Sequence, residues 1–450
     1  MRFVRRILTW AVLAVWGNVV WWASQGPLPV AGAVALAVGG FAFYCYVNVR
    51  PTLRRMVAPE QGLVTLVNGY ELLLAGGVCL LADVAWWVWL LTSGALAGPD
   101  APWLAFAGNV VVGVVTSAVL ALGGFVRLCI RSAQVSLITK VLVVLLWWLP
   151  PLTAVLLSRV ARTAMREYRT ALARIRRDQA RAGDQVCRTR YPLLLVHGIF
   201  FRDWSALNYW GRIPDALTRN GATIFYGGQQ SSASVADSGT ELAAAIERVT
   251  AATGCGKVNI VAHSKGGLDA RWAISQLGCA EKVASLTTIN TPHRGCNFAR
   301  QLMERIPQTA VAAIGSRYDA VFTKLGDADP SFLAGVADLT DTECARLNEQ
   351  LPDAPGVLYQ SVGSRMASRF ASPFPLNLGN TLIEPLDGPN DGLVAVSSMP
   401  WGDFLGVVEP TKNQGISHGD MVDLMRKDIG DFDVCEFYVQ LVAGLKARGL

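Results

Sequence analysis

Ser264 lies in KVNIVAHSKGG (residues 257–267), where an apolar run of Val258, Ile260 and Val261 gives way to His-Ser-Lys and two glycines. A run so short and apolar suits a parallel strand covered on both faces, and Gly266 and Gly267 open a helix continuing as LDARWAISQLG. A strand turning directly into a helix raises the serine hydroxyl above the sheet, beside the free N–H groups of a helix N-terminus. That is the setting of a nucleophile, and a nucleophilic serine needs a base within hydrogen-bond reach. The chain has four histidines. His197 follows a strand in VHG, His263 precedes the serine and points away from it, and His293 in TPHRG suits a turn anchor. His418, in GISHGD, remains as the base.

The acid that orients the base should follow a late strand and precede His418 in the chain. Asp391 in GPNDGLV does so, presented by the tight turn that Asn390 and Gly392 make, with Asp387 as its rival. Charge developing on a carbonyl oxygen needs N–H donors, each worth on the order of 3 kcal/mol. The backbone of Lys265, just after the serine, supplies one, and that of Ile199, in the loop after LLLVHG, supplies the other. Asp269, on the helix behind the serine, reads as a structural hydrogen-bonder.

The elements that must hold these groups alternate: LLLVHG at 193–198, ATIFYG at 222–227, a helix at 239–253, the Ser264 strand and its helix, VASLTTI at 283–289 and VLYQSVG at 357–363. That alternation is doubly wound α/β. Short amphipathic pieces in 295–350, such as CNFARQLMERI and FLAGVADL, sit where a lid would be inserted, and a terminal helix begins after His418.

The first half has a different composition. The chain is 52% hydrophobic with mean hydropathy +0.34, and ten of its 14 tryptophans precede residue 150. Five apolar segments, at about 7–23, 29–49, 72–92, 104–126 and 139–157, each approach the ~20 residues that cross a bilayer. The first reads as an anchor rather than a cleaved leader. Pro150 and Pro151 kink the last segment or turn it back on itself. Asp83, in the third, is either a functional intramembrane carboxylate or a hydrogen-bonded one in a helix contact. Residues 158–186 form a basic linker helix, which lies along anionic headgroups or serves as a solvated connector. Charge divides accordingly, with 19 Lys/Arg against 7 Asp/Glu through residue 190 and 21 against 27 thereafter. Six cysteines beyond residue 186 allow up to three disulfides or stand as small buried thiols. No CxxC or HExxH is present, so neither metal nor cofactor is expected.

LLLVHGIF, NYWGRIPDALTRNGATIF, AHSKGG, VASLTTINTPHRG, PNDGLV and ISHGD together resemble the bacterial true lipases, the triacylglycerol lipases of the α/β-hydrolase superfamily, over about 191–450. The resemblance implies an α/β-hydrolase fold with a helical lid. It also implies Ser264 as nucleophile, Asp391 as acid, His418 as base, and Ile199 and Lys265 as oxyanion donors. Ala262 stands where the family has glycine. Asp420 matches a calcium-ligating acid, but its expected acidic partner is missing from 366–383, and no calcium site is assigned. The implied activity is a membrane-anchored lipase or esterase acting on a lipid ester substrate, with no nucleic acid partner. The alternatives are a phospholipase or acyltransferase and, from another class, a membrane scaffold or transport component with an inactive hydrolase domain. Arginines before the first span, after the second and after the fourth place those ends in the cytoplasm, so five crossings put the 187–450 domain outside the cell membrane. The arginine-rich 159–181 helix opposes that placement by the same rule.

Overall fold

The computed structural model describes residues 2–26, 29–53, 61–199, 208–230, 233–305, 332–369, 372, 376–409 and 415–450. It divides into two compact units, Met1–Ile175 and Arg176–Leu450.

The second unit is organised on six strands: β1 (Leu193–Val196), β2 (Ile224–Tyr226), β3 (Val258–His263), β4 (Val283–Ile289), β5 (Leu358–Ser364) and β6 (Asp403–Val408). Their order is β2-β1-β3-β4-β5-β6, with every neighbouring pair parallel. Alternate residues of a strand face opposite sides of a sheet. Leu193, Leu195 and Val261 accordingly pack with Trp210, Leu217 and Tyr438 on one face, while Leu194, Ile260 and Ala262 pack with Leu242, Ile246 and Ile274 on the other. Every residue of β3 and β4 is buried. This is the doubly wound α/β fold expected, and the runs at 193–198, 222–227, 283–289 and 357–363 each contain a strand.

Two elements differ from the sequence reading. β6 has no counterpart there, because it is an edge strand whose Asp403, Phe404 and Leu405 are exposed and whose pattern Gly406 interrupts at φ 109°. The terminal helix occupies Val434–Ala447 rather than following His418 directly, since Asp423, Arg426 and Gly430 all hold positive φ, which no right-handed helix accommodates. The expected lid is described at its two ends. Cys296 N–H donates to Leu339 O at 2.9 Å and Arg300 Nε to Asp341 Oδ1 at 2.8 Å, closing the base of the insert. Residues 306–331 within it lie outside the described residues.

Among the described residues the first unit contains three helices long and apolar enough to cross a membrane, Val30–Val49, Gly62–Thr92 and Trp103–Arg131. A bent pair, Arg6–Gly17 and Val19–Gln25, makes a fourth if taken as one span broken by 57°. At the break the backbone loses helical partners, and side chains supply them. Trp21 N–H donates to Asn109 Oδ1 at 3.2 Å, Asn109 Nδ2 to Asn18 Oδ1 at 2.6 Å, and Asn18 Nδ2 to Asp83 Oδ1 at 2.6 Å. Asp83 is therefore a hydrogen-bonded carboxylate in a helix contact. The apolar segment 139–157 is shared by two helices, Leu137–Leu145 and Pro150–Ala180.

Glycines bring the helices Gln61–Thr92 and Trp103–Arg131 into backbone contact. A Cβ on Gly124 would stand 2.6 Å from both Gly69 O and Leu73 N, whereas one on Gly77 would meet nothing within 4 Å. Overpacking of this kind costs about 1–3 kcal/mol. Gly124→Ala should lower the melting temperature of the detergent-solubilised protein, and Gly77→Ala should leave it unchanged. Equal melting temperatures for the two variants would refute the close contact.

Candidate active site

Ser264 sits between β3 and the helix Gly266–Gln276 with φ 57°, a left-handed conformation that costs a non-glycine residue about 1–3 kcal/mol. The surrounding backbone holds it there. Ser264 N–H donates to Ile289 O at 2.9 Å, and Thr291 Oγ1 donates to Ser264 O at 2.7 Å. The following glycines admit neighbouring chain: a Cβ on Gly266 would lie 2.4 Å from His197 O, and one on Gly267 would lie 2.3 Å from Thr291 Oγ1. Ala262, where a glycine was the family expectation, is fully buried in the core beneath the elbow.

Asp391 and His418 are brought together. His418 Nδ1 donates to Asp391 Oδ2 at 2.6 Å, and His418 N–H donates to Asp391 O at 2.9 Å. Asp391 is fully buried, and its four hydrogen bonds fill the acceptor sites of a carboxylate. Oδ1 takes Leu393 N–H at 2.9 Å and Val394 N–H at 2.8 Å, while Oδ2 takes Asn290 Nδ2 at 2.6 Å beside the histidine. The turn that presents it is closed by Gly392 N–H donating to Asn390 Oδ1 at 2.9 Å. Asp387, the rival, is occupied elsewhere: its Oδ2 accepts Phe298 N–H at 3.0 Å at the start of the helix Asn297–Arg305.

The His418 ring lies 4.4 Å from that of His263, the residue before Ser264. Among the described residues Ser264 Oγ makes no hydrogen bond, and catalytic bonds of this kind often tighten only when substrate is bound. The other histidines have separate tasks. His263 Nδ1 bonds Tyr209 OH at 2.6 Å, and burial, with the nearby His418, holds its pKa well below the usual value. His293 bonds Thr288 Oγ1 at 3.0 Å, and burial lowers its pKa as well. His197 spans the carbonyls of Gly198 and Gln229 at 2.8 and 3.0 Å.

Lys265 follows the serine directly, and Ile199 follows Gly198 in the loop after β1. Lys265 is the residue before the helix Gly266–Gln276, and Ile199 ends the described part of the loop after β1. Gly198 lets that loop approach, because a Cβ there would lie 2.7 Å from Ser264 Cβ. The Lys265 side chain turns inward and is 1% exposed. Its Nζ donates to Asp269 Oδ1 at 2.6 Å and Ser238 Oγ at 3.0 Å, anchoring the elbow to the helix Val235–Thr253. Burial raises the Asp269 carboxyl, and the Lys265 ammonium opposes that rise. Asp420 is engaged within its own turn, with Oδ2 accepting Ser417 N–H at 2.9 Å and Ser417 Oγ–H at 2.6 Å.

Asn290, Tyr209 and Gly198 were not singled out in the sequence. Asn290, at φ 50°, also donates from Nδ2 to Ser364 Oγ at 2.7 Å, and Tyr209 OH accepts Gly198 N–H at 3.3 Å while bonding His263. Only Asn290 had a local signal, an Asn directly after the strand VASLTTI, where left-handed backbone favours it.

Asp391→Asn removes the acceptor that fixes the His418 tautomer and should reduce turnover of an activated ester on the order of 10⁴-fold. Asp387→Asn, which touches only the start of the insert helix, should cost less than tenfold. Parallel initial-rate measurements on the two variants check this, and similar losses would place the acid elsewhere.

Comparison with known proteins points to the second unit. The alpha/beta hydrolase fold family matches residues 191–356. A triacylglycerol lipase of Burkholderia plantarii is 35% identical over 185 residues, covering 38% of this chain and 51% of that protein. One of Vibrio cholerae is 32% identical over 237 residues, covering 48% of this chain and 75% of its own length. Among solved structures, a Bacillus licheniformis lipase in its mature form aligns at 21% identity and TM-score 0.40, over 52% of this chain and 86% of that one. The chain spans about half the length of the Burkholderia plantarii relative. With 32% identity across an alignment that covers 75% of the Vibrio cholerae protein, the chain belongs to the triacylglycerol lipase family of the α/β-hydrolase superfamily.

Proposed function

We propose that the protein is a membrane-anchored serine hydrolase that cleaves the carboxylic ester bonds of lipids through an acyl-enzyme. The observation that carries this reading is the Asp391–His418 pair at 2.6 Å, held beside a serine elbow in the left-handed conformation. In the proposed reaction Ser264 Oγ attacks the ester carbonyl while His418 Nε2 takes its proton, and Asp391 steadies the imidazolium. The oxyanion is met by the N–H groups of Ile199 and Lys265. Collapse breaks the C–O bond to the alcohol, which leaves with the proton from His418. A water molecule, deprotonated by the same histidine, then releases the fatty acid. The apolar helices of the first unit supply the anchor, and keep the site where its substrates are concentrated.

A serine-directed fluorophosphonate should label Ser264, and Ser264→Ala should abolish both labelling and ester turnover while leaving the melting temperature within a degree or two. Undiminished labelling of the variant would overturn the assignment. A panel of glycerides, phospholipids and short-chain esters separates lipase from phospholipase action.

The insert at 295–350 is proposed to act as a lid. Activity per enzyme should rise sharply where substrate passes from monomer to aggregate, as rates across that concentration would reveal. A smooth hyperbola through the transition would argue against gating.

A further inference from the structure

The geometry of 132–167 within the first unit is that of a hairpin. Helix Leu137–Leu145 has nine residues, a rise of about 14 Å against the ~30 Å of a bilayer's hydrocarbon core. It ends in a turn where Leu149 N–H donates to Leu146 O at 2.9 Å and Thr153 Oγ1 donates to the same carbonyl at 2.6 Å. Helix Pro150–Ala180 then runs back along the bundle. Its Val160, Ala161 and Ala164 are buried in one cluster with Leu66, Leu128, Val135 and Val143. The return is complete at Glu167, whose carboxylate accepts Ala133 N–H at 3.0 Å and the Ser132 hydroxyl. Ser132 directly follows the helix Trp103–Arg131, so by Glu167 the chain is back at the level where it left that helix.

The two ends of the helix bundle differ in chemistry. At the Ser132 end Arg6 pairs with Glu71 at 2.8 Å, Arg127 donates to the carbonyls of Gly123 and Asn48, and Lys140 Nζ reaches back to Cys129 O at 2.8 Å. The opposite end gathers Trp21, Trp22, Trp86 and Phe106 around Leu90 and Leu96. Cations cluster on the cytoplasmic side of spanning helices, and tryptophans at an interface.

We infer that residues 132–167 form a re-entrant helical hairpin rather than a fifth crossing, so that the chain leaves the bilayer on the cytoplasmic side and Ser264 draws its lipid esters from the cytoplasmic leaflet. Four crossings return the chain to the side of Arg6, and the hairpin keeps it there. The fifth crossing was the ground for placing the 187–450 domain outside. Without it, the arginines of the Pro150–Ala180 helix, which opposed that placement, fall on the side the charge rule prefers. The inference rests on reading the first unit as membrane-spanning, together with the hydrolase function proposed above.

Cys255 is exposed while Cys187, Cys279, Cys296 and Cys344 are buried, which makes it a native reporter of sidedness. The full-length protein is expressed, and membranes are extracted with alkaline carbonate to establish that it is integral. A membrane-impermeant maleimide is then applied to intact and permeabilised spheroplasts, with Ser93→Cys in the exposed turn after the helix Gln61–Thr92 as the outward control. Cys255 should be labelled only after permeabilisation, with the signal lost in Cys255→Ser, and Ser93→Cys should react in intact spheroplasts. Labelling of Cys255 in intact spheroplasts, with the protein still in the carbonate pellet, would overturn the hairpin. Release by carbonate would instead refute the membrane reading, and the inference with it.

Discussion

The left-handed backbone of Ser264 is the constraint from which the rest of the candidate site follows. A serine held at φ 57° is unfavourable in isolation, so the surrounding chain must fix it. Two separate segments do so. The end of β4 accepts the serine N–H through Ile289, Thr291 in the next loop donates to its carbonyl, and the end of β1 closes over Gly266. A Cβ at Gly266 would displace His197 O, and one at Gly267 would displace Thr291. Close approach of strand and helix is thus a condition of exposing the hydroxyl.

The same strand ends converge on Asp391. Asn290 after β4 donates to its carboxylate, Ser364 at the end of β5 accepts from Asn290 and donates to Ile416 O at 3.2 Å, and Ile416 lies two residues before His418. Loops widely separated in sequence therefore meet at the C-terminal ends of parallel strands, where a doubly wound sheet places its ligand crevice. Buried polar groups of this kind stabilise only when fully satisfied. Asp391 meets that condition with four donors, and a fully partnered carboxylate can support a cation on His418 without reorganising.

Much of this architecture was readable in the residues because local pattern and burial coincide in it. Runs such as VASLTTI are apolar because both faces of β4 are covered, and the strand spans that run residue for residue. β6 escaped because an edge strand with an exposed outer half carries no such pattern. His418 was proposed by elimination among four histidines, Ser264 from the strand–turn–helix pattern, and Asp391 from chain order and its turn. Tyr209 and the Lys265 side chain were not, because their partners His263, Asp269 and Ser238 are set by tertiary packing and leave no spacing in the sequence that marks them. The fifth apolar segment shows the converse limit. Hydropathy measures how well 139–157 suits lipid but not which way it runs, and the inferred hairpin rests instead on a turn at Leu146–Leu149 and one carboxylate, Glu167.

The two units hold themselves together by different physics. In the hydrolase unit apolar side chains leave water, and large residues such as Trp210 and Tyr438 fill the space beside the sheet. In the proposed membrane setting the helices of the first unit gain little from that effect, and close packing and hydrogen bonds replace it. Gly76 and Gly124 serve the first need, by admitting backbone at distances a Cβ would forbid. The Asp83–Asn18–Asn109 network serves the second, at the 57° break between Arg6–Gly17 and Val19–Gln25. Because Asn109 receives the N–H of Trp21 that the break releases, the bend and the polar network stabilise one another. Loss of either would leave polar groups buried between the helices without a partner.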